Sequence, residues 1–349
     1  MSELHDRADS AKVVDEQSLN GRLERFLSGQ SGERVTIDEL RRCSSGFSWM
    51  TFSFRARCAS RGARDLIVQM GPATGLLAPY SARPQAVTLS ALAGSAVPVA
   101  ELVAWSDDSA HLGAPFFVCT KVSGEPVVPW GLERISAPER RRMAQEFVDI
   151  LGALHSPDMP VEALRPLHPT VTAASAARLE VGAWIDRVQS WRTRAYPLLT
   201  WAGEWLIANA PAAPRVCIVH GDFRLGNFLQ SGGGVTAVLD WEMVHLGHPH
   251  EDLGWLLLPM YNKGSGQLFG ELPRAEVLER YSARSGIAVE PRSLHYFECL
   301  ALFKSTALTI AATGSYVRRG SNDMRMAAMA TSTASLIRQL DKLIDTEPA

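Results

Sequence analysis

The stretch from Val216 to Asp240 constrains this chain more than any other. An apolar run, Val216–Val219, leads into a polar loop, His220-Gly221-Asp222-Phe223-Arg224-Leu225-Gly226-Asn227. A turn at Ser231-Gly232-Gly233-Gly234 precedes a second apolar run, Val235-Thr236-Ala237-Val238-Leu239, which ends on Asp240. Short apolar runs bounded by turn residues read as buried strands. Two such strands joined by the glycine turn bring Asp240 back beside Asn227. The loop then emerges from a buried strand with two carboxylates and an amide gathered at its mouth.

Phosphoryl transfer suits such a set. It needs metal ions to offset phosphate charge and a carboxylate to orient the attacking hydroxyl. Protein kinases use an Asp, an Asn five positions later and a second Asp on a following hairpin. Asp222, Asn227 and Asp240 match that pattern. Asp222 is the candidate to orient or deprotonate an acceptor hydroxyl. Asn227 and Asp240 are candidate Mg2+ ligands, being hard oxygen donors. His220 reads as a brace for the loop. Arg224 is placed either to meet phosphate or to pair with a nearby acid. The alternative is a hairpin whose polar residues merely occupy turns, which a lone H-x-D triplet would suggest. Three correctly spaced polar groups between two apolar runs argue against coincidence.

A chain of 349 residues exceeds one small core and points to a two-lobed enzyme or two domains. The formal net charge of −2 gives no argument for binding nucleic acid or an anionic membrane. The five cysteines are odd in number and lack C-x-x-C spacing, so a reducing cytoplasm is the expected setting. The polar, acid-bearing N-terminus is unlike a secretory signal. The longest apolar stretch, near Ala86–Ala100, contains Pro98 and is too short to span a membrane.

The remaining pattern divides the chain. Residues 1–16 read as a flexible tail, and Leu19, Leu23, Phe26 and Leu27 recur at helical spacing. Ile37–Cys43, Ser48–Arg57 and Asp65–Met70 read as an antiparallel meander, followed by a helix at Ala82–Ala93 and strands at Val97–Trp105 and Pro115–Val122. After a break at Ser123-Gly124-Glu125-Pro126 the pattern turns helical, and Ser136-Ala137-Pro138-Glu139 is a capping box. The expected fold is α+β: a small sheet lobe with one helix over residues 17–123, and a larger helical lobe over 124–349.

The motifs HGDFRLGNFL, VLDWE and HLGHPHEDLGWLL resemble the aminoglycoside phosphotransferase and choline kinase-like superfamily. The branch that includes kinase-like domains joined to some acyl-CoA dehydrogenases is the nearest in character. The resemblance covers about Leu19 to Leu340. It implies a protein-kinase-like bilobal fold, ATP as donor, Mg2+, and a small-molecule hydroxyl acceptor. It further implies that Asp252 hydrogen-bonds the backbone of the catalytic loop.

The resemblance also assigns a nucleotide site. Ser44-Ser45-Gly46-Phe47-Ser48 takes the place of the phosphate-covering hairpin, with Ser45, Gly46 and Ser48 as candidate contacts. Adenine is expected against the backbone near Thr120 and Val122. The third strand normally carries a cation paired to a glutamate on the next helix, and here Gln69 and Gln85 occupy those positions. Two amides can hydrogen-bond and leave no unpaired buried charge. Another reading places the cation elsewhere, with Arg83 and Arg64 as candidates; a third is a different register. The two glutamines motivate an alternative function, a kinase-like nucleotide- or ligand-binding module without turnover.

Other clusters read as structural. His245, His248 and His250 lack the spacing of a helical zinc motif, and Gly247 and Pro249 break a common helix. Trp184, Trp191, Trp201 and Trp205 read as packing residues. Arg318, Arg319 and Arg325 form a solvated face or an anion handle. With no markedly acidic region there to attract a polycation, a metabolite or hydroxylated acyl compound fits better than an aminoglycoside.

Overall fold

A computed structural model describes residues 16–43, 48–72, 75–262, 264, 266–318 and 323–346. The first helix, α1 (Glu16–Ser31), buries Leu19, Leu23, Phe26 and Leu27, one stripe at helical period. Each such burial contributes about 1.5–3 kcal/mol. The stripe lies on a five-stranded antiparallel sheet: β1 (Thr36–Arg42), β2 (Met50–Cys58), β3 (Gly62–Met70), β4 (Leu102–Ser106) and β5 (Phe116–Thr120), in the order β1-β2-β3-β5-β4. Helix α2 (Arg83–Leu92) follows β3.

Strand alternation sorts the residues of β3 between two cores. Leu66, Val68 and Met70 join Phe52, Phe54, Phe116 and Val118 under α1. Ile67 faces the opposite way, toward the core that holds Trp49, Phe117 and Cys119 and continues into the helical part. Gln69 shares that inner face and is flanked across the ladder by Thr51 and Phe117.

The helical part opens at Ala137–Leu154, where the Ser136 N–H donates to Glu139 Oε2 at 3.2 Å as the capping box requires. Further helices run over Ala176–Trp191, Pro197–Ala208, His250–Leu256, Arg274–Ser285, Pro291–Arg318 and Thr333–Ile344. The long helix Pro291–Arg318 is buried on most sides and packs against helices before and after it. No helix among the described residues is long and apolar enough to cross a membrane.

Two expectations need correction. The strand expected from Val97 begins at Leu102. The two apolar runs around the polar loop do not pair with each other. Cys217–Val219 pairs with His245–Gly247, whereas Gly234–Val238 pairs with Phe228–Ser231. The tight turn at 232–233 can only join adjacent residues, so the strand before it must be Phe228–Ser231. The return of Asp240 toward Asn227 survives the change, because the Leu239 N–H donates to Asn227 O at 2.8 Å.

Candidate active site

The polar loop is an excursion held at both ends. It leaves strand Cys217–Val219, and the chain re-enters the same ladder at His245–Gly247. Fully buried Asp252 receives the His220 and Gly221 backbone N–H groups at 2.7 and 2.8 Å, as the resemblance implied. Burial alone would raise its carboxyl; the hydrogen bond and charge of His155 together with the loop amides lower it instead. His155 Nε2 lies 3.2 Å from Asp252 Oδ2, and its Nδ1 bonds the Tyr281 hydroxyl at 2.8 Å. Gly221 has φ +85°, and a Cβ there would lie 2.7 Å from Met243 O, so only glycine fits.

His220 is fully buried and braces the loop. The Asp222 N–H donates to its Nδ1 at 3.2 Å, so its Nε2 proton is free to donate to Leu239 O at 2.8 Å. Burial lowers its pKa and keeps the ring neutral. The brace spans the loop and the strand that delivers Asp240.

Asp222 is 8% exposed, and both its oxygens are hydrogen-bonded. Oδ1 accepts from Arg224 Nε and Trp255 Nε1, each at 2.7 Å. Oδ2 accepts from Asn227 Nδ2 at 2.6 Å. Arg224 therefore pairs with an acid, settling the choice left open by the sequence. Its guanidinium also lies 5.0 Å from the centroid of the Tyr261 ring. Burial disfavours the arginine's charge, but Asp222 outweighs it and raises the pKa.

Asn227 gives its amide N–H to the backbone and side-chain oxygens of Asp222, leaving its carbonyl oxygen for another partner. Asp240 sits at φ +65° where the second strand ends. Burial, then the charge of Asp222, pushes its carboxyl up to about 6. A pair of acids under that strain is relieved by a divalent cation, so these oxygens fit a hard metal ion.

The nucleotide-side expectations fare unevenly. Ser45 and Gly46 lie outside the described residues. Ser48 is buried beside Glu242 and Tyr80. Gln85 is 2% exposed, and its Nε2 has no hydrogen-bond partner. Thr120 closes β5, its Oγ1 accepting from the Glu101 N–H at 3.0 Å, and Val122 packs on the inner core. Arg64 is paired with Glu101 at 2.8 Å and Arg83 is exposed, so neither occupies the inner face of the sheet.

Sequence reasoning missed Trp255, Tyr261, Glu242 and Trp49. Only Glu242 carried a signal, as an acid two residues after Asp240. Arg318 caps the Ser190 and Arg192 carbonyls, Arg325 binds Asp323, and Arg319 lies outside the described residues. Glu180, His245 and Glu251 converge closely enough to hold a metal ion. Lys304 already bridges the two carboxylates between the Trp184 and Trp255 rings.

Comparison with known proteins decides the family. A model of the phosphotransferase enzyme family matches residues 40–296. The chain belongs to that family. Mouse acyl-CoA dehydrogenase family member 11 is 27% identical over 309 residues, covering 84% of this chain. Mouse acyl-CoA dehydrogenase family member 10 is 29% identical over 248 residues, covering 68%. The aligned parts make up only 39% and 22% of those proteins, so the phosphotransferase-family chain spans a minor share of each.

Solved structures of phosphotransferases share the fold. A Ralstonia eutropha protein provisionally named an aminoglycoside phosphotransferase superposes with a TM-score of 0.72 at 21% identity, covering 93% of this chain and 97% of its own. A thermostable mutant of aminoglycoside phosphotransferase APH(4)-Ia, solved with AMP-PNP and hygromycin B, gives 0.58 at 16% identity, with coverages of 92% and 97%. Macrolide 2'-phosphotransferase type I gives 0.57 at 19% identity, with coverages of 90% and 96%. An antiparallel sheet lobe followed by a helical part is thus the kinase-like fold of the aminoglycoside phosphotransferases.

Proposed function

We propose that this phosphotransferase-family chain moves the γ-phosphoryl group of ATP to a hydroxyl of a small molecule. The convergence of Asp222, Asn227 and Asp240 at the mouth of one anchored loop supports the reading most. Asp222 Oδ1 already accepts two N–H groups and Oδ2 only one. Oδ2 therefore has a lone pair to receive the acceptor hydroxyl. Asn227 Oδ1 and the Asp240 carboxylate would hold Mg2+, which supplies the charge that offsets the phosphates. Arg224 and Trp255 fix the angle of the Asp222 carboxylate, and His220 keeps the loop and the Asp240 strand together.

In this reading residues 17–123 take the nucleotide and 124–349 supply the chemistry and the acceptor pocket, with a reducing cytoplasm as the setting. The acids Glu180 and Glu251 are neutralised internally by Lys304 and His245. They therefore offer little to a polycationic aminoglycoside, which favours a metabolite or hydroxylated acyl compound. A panel of such acceptors, assayed by ADP release with Mg-ATP, tests the proposal. Acceptor-stimulated release that vanishes in Asp222→Ala supports it, and no stimulation by any member counts against it.

A second reading, a nucleotide- or ligand-binding module without turnover, rests on Gln69 and Gln85 in place of an ion pair. Tight Mg-ATP binding without acceptor-dependent turnover would favour it.

A further inference from the structure

A ring of side chains closes behind the Asp222 carboxylate. Asp222 Oδ1 accepts from Trp255 Nε1 and from Arg224 Nε, each at 2.7 Å. The Trp255 ring stacks on Tyr261, with centroids 5.8 Å apart and planes at 30°. The Arg224 guanidinium lies over Tyr261, 5.0 Å from its centroid. Asp222, Trp255, Tyr261 and Arg224 therefore hold one another in a cycle. Both donors to Oδ1 are set by the same aromatic stack.

A second cation stands over that stack. Lys304 Nζ lies 5.7 Å from the centroid of the Trp255 ring and 5.0 Å from that of Trp184. It is fully buried and donates to Glu180 Oε1 at 2.9 Å and to Glu251 Oε1. Burial opposes its charge, but the two carboxylates outweigh burial and keep the ammonium charged. Close approach of two helices brings it there. A Cβ on Gly254 would lie 2.7 Å from the Phe297 carbonyl carbon, so His250–Leu256 and Pro291–Arg318 meet backbone to backbone. Glu251 and Trp255 are one turn apart on the former helix and share a face. Glu251 thus draws the ammonium onto the face that carries Trp255.

A buried ion pair is weak ground for stability, because packed apolar residues of similar volume commonly do as well. A cation over an aromatic ring has a further effect. It is attracted to the electron-rich face, most of all for tryptophan and most strongly when desolvated. It draws electron density from the indole and makes the N–H at the ring's edge a stronger donor. In a dry site that field is little screened.

We propose that Lys304 and Tyr261 are positioning residues for phosphoryl transfer: Tyr261 joins the two donors that seat Asp222, and the Lys304 ammonium, held by Glu180 and Glu251, strengthens the Trp255 donor. Both act through Asp222 Oδ1 and leave Oδ2 to face the acceptor hydroxyl. The effect on rate rests on the phosphotransferase reading given above, whereas the seat of Asp222 is a property of the free protein.

Proton–nitrogen NMR of the tryptophan indoles, paired with kinetics, tests this. The Trp255 N–H resonance is the one absent from Trp255→Phe, and its bond to a carboxylate places it downfield. Lys304→Met alone would strand two buried acids, so it is combined with Glu251→Gln, which leaves Glu180 facing His245 at 3.6 Å. Lys304→Gln with Glu251→Gln, two amides able to bond each other, guards against misfolding, and melting temperatures identify the folded variants. The Lys304 double variants and Tyr261→Leu should each move the Trp255 resonance upfield. Each should lower kcat by about tenfold while changing the KM for ATP by less than about twofold. Tyr261→Phe keeps the ring and should restore both resonance and rate. Folded variants whose Trp255 resonance stays at the wild-type position overturn the proposal whatever their rate, as does a shifted resonance with wild-type kcat. If the resonance shifts as expected but wild type transfers phosphoryl to no acceptor, the proposed reaction falls and this seat of Asp222 stands.

Discussion

Trp255 donates its indole N–H to Asp222 Oδ1 at 2.7 Å, from a helix otherwise committed to the core. The same ring lies 5.7 Å from the Lys304 ammonium and stacks on Tyr261. The central carboxylate is thus oriented by a residue 33 positions away. Trp255→Phe keeps the packing and removes the donor. A hydrogen bond to a charged group is worth about 1.5–3 kcal/mol, so kcat should fall by about tenfold to a hundredfold with the KM for ATP little changed. Steady-state kinetics with a responsive acceptor checks this.

Asp252 holds two loop amides and faces His155 with no exposure to solvent. Asp252→Asn places an amide group where only acceptors fit. The protein should lose about 3–5 kcal/mol of unfolding free energy, the cost of removing one partner of a buried charged set. Chemical denaturation followed by circular dichroism measures it. Wild-type stability in the variant would mean that the loop is held by other contacts.

Gly221 stands at a backbone angle that side chains rarely adopt, with Met243 O in the way. Gly221→Ala should cost about 1–3 kcal/mol. It should also reduce turnover more than it reduces nucleotide affinity, since the strain falls on the residue before Asp222. Calorimetry paired with kinetics separates the two.

The network of Lys304, Glu180, Glu251 and His245 makes stability depend on pH. Burial opposes the charge of His245, but Glu180 and Glu251 raise its pKa to about 9. A histidine raised in the folded state contributes stability that is fully present below its unfolded pKa and is lost as pH rises through about 9. Between pH 7 and 9.5 wild type should lose on the order of 1–3 kcal/mol that a His245→Gln variant does not lose. Melting temperature against pH for both proteins gives the comparison.

Much of this was legible in the sequence because it is local. The helix stripe Leu19, Leu23, Phe26 and Leu27 and the capping box at Ser136 need only their own neighbours. The loop spacing fixed Asp222 and Asn227 for the same reason. Strand pairing is non-local, so the partner of Cys217–Val219 was misread: the three residues His245–Gly247 carry too little pattern to announce a strand. Nothing in the sequence pattern singled out Trp255 or Trp49. Their polar edges matter only because of what the fold sets beside them, and no periodicity reports that.

The account stands most directly on transfer of the γ-phosphoryl group itself. Wild type and Asp222→Asn are incubated with Mg2+ and γ-labelled ATP at matched nucleotide occupancy, with each hydroxylated acceptor in turn, and the labelled product is identified. A labelled phosphomonoester should form with wild type, at a rate that falls by about a hundredfold or more in the variant. Equal transfer by the variant, or label appearing only as inorganic phosphate with every acceptor, would contradict the central claim.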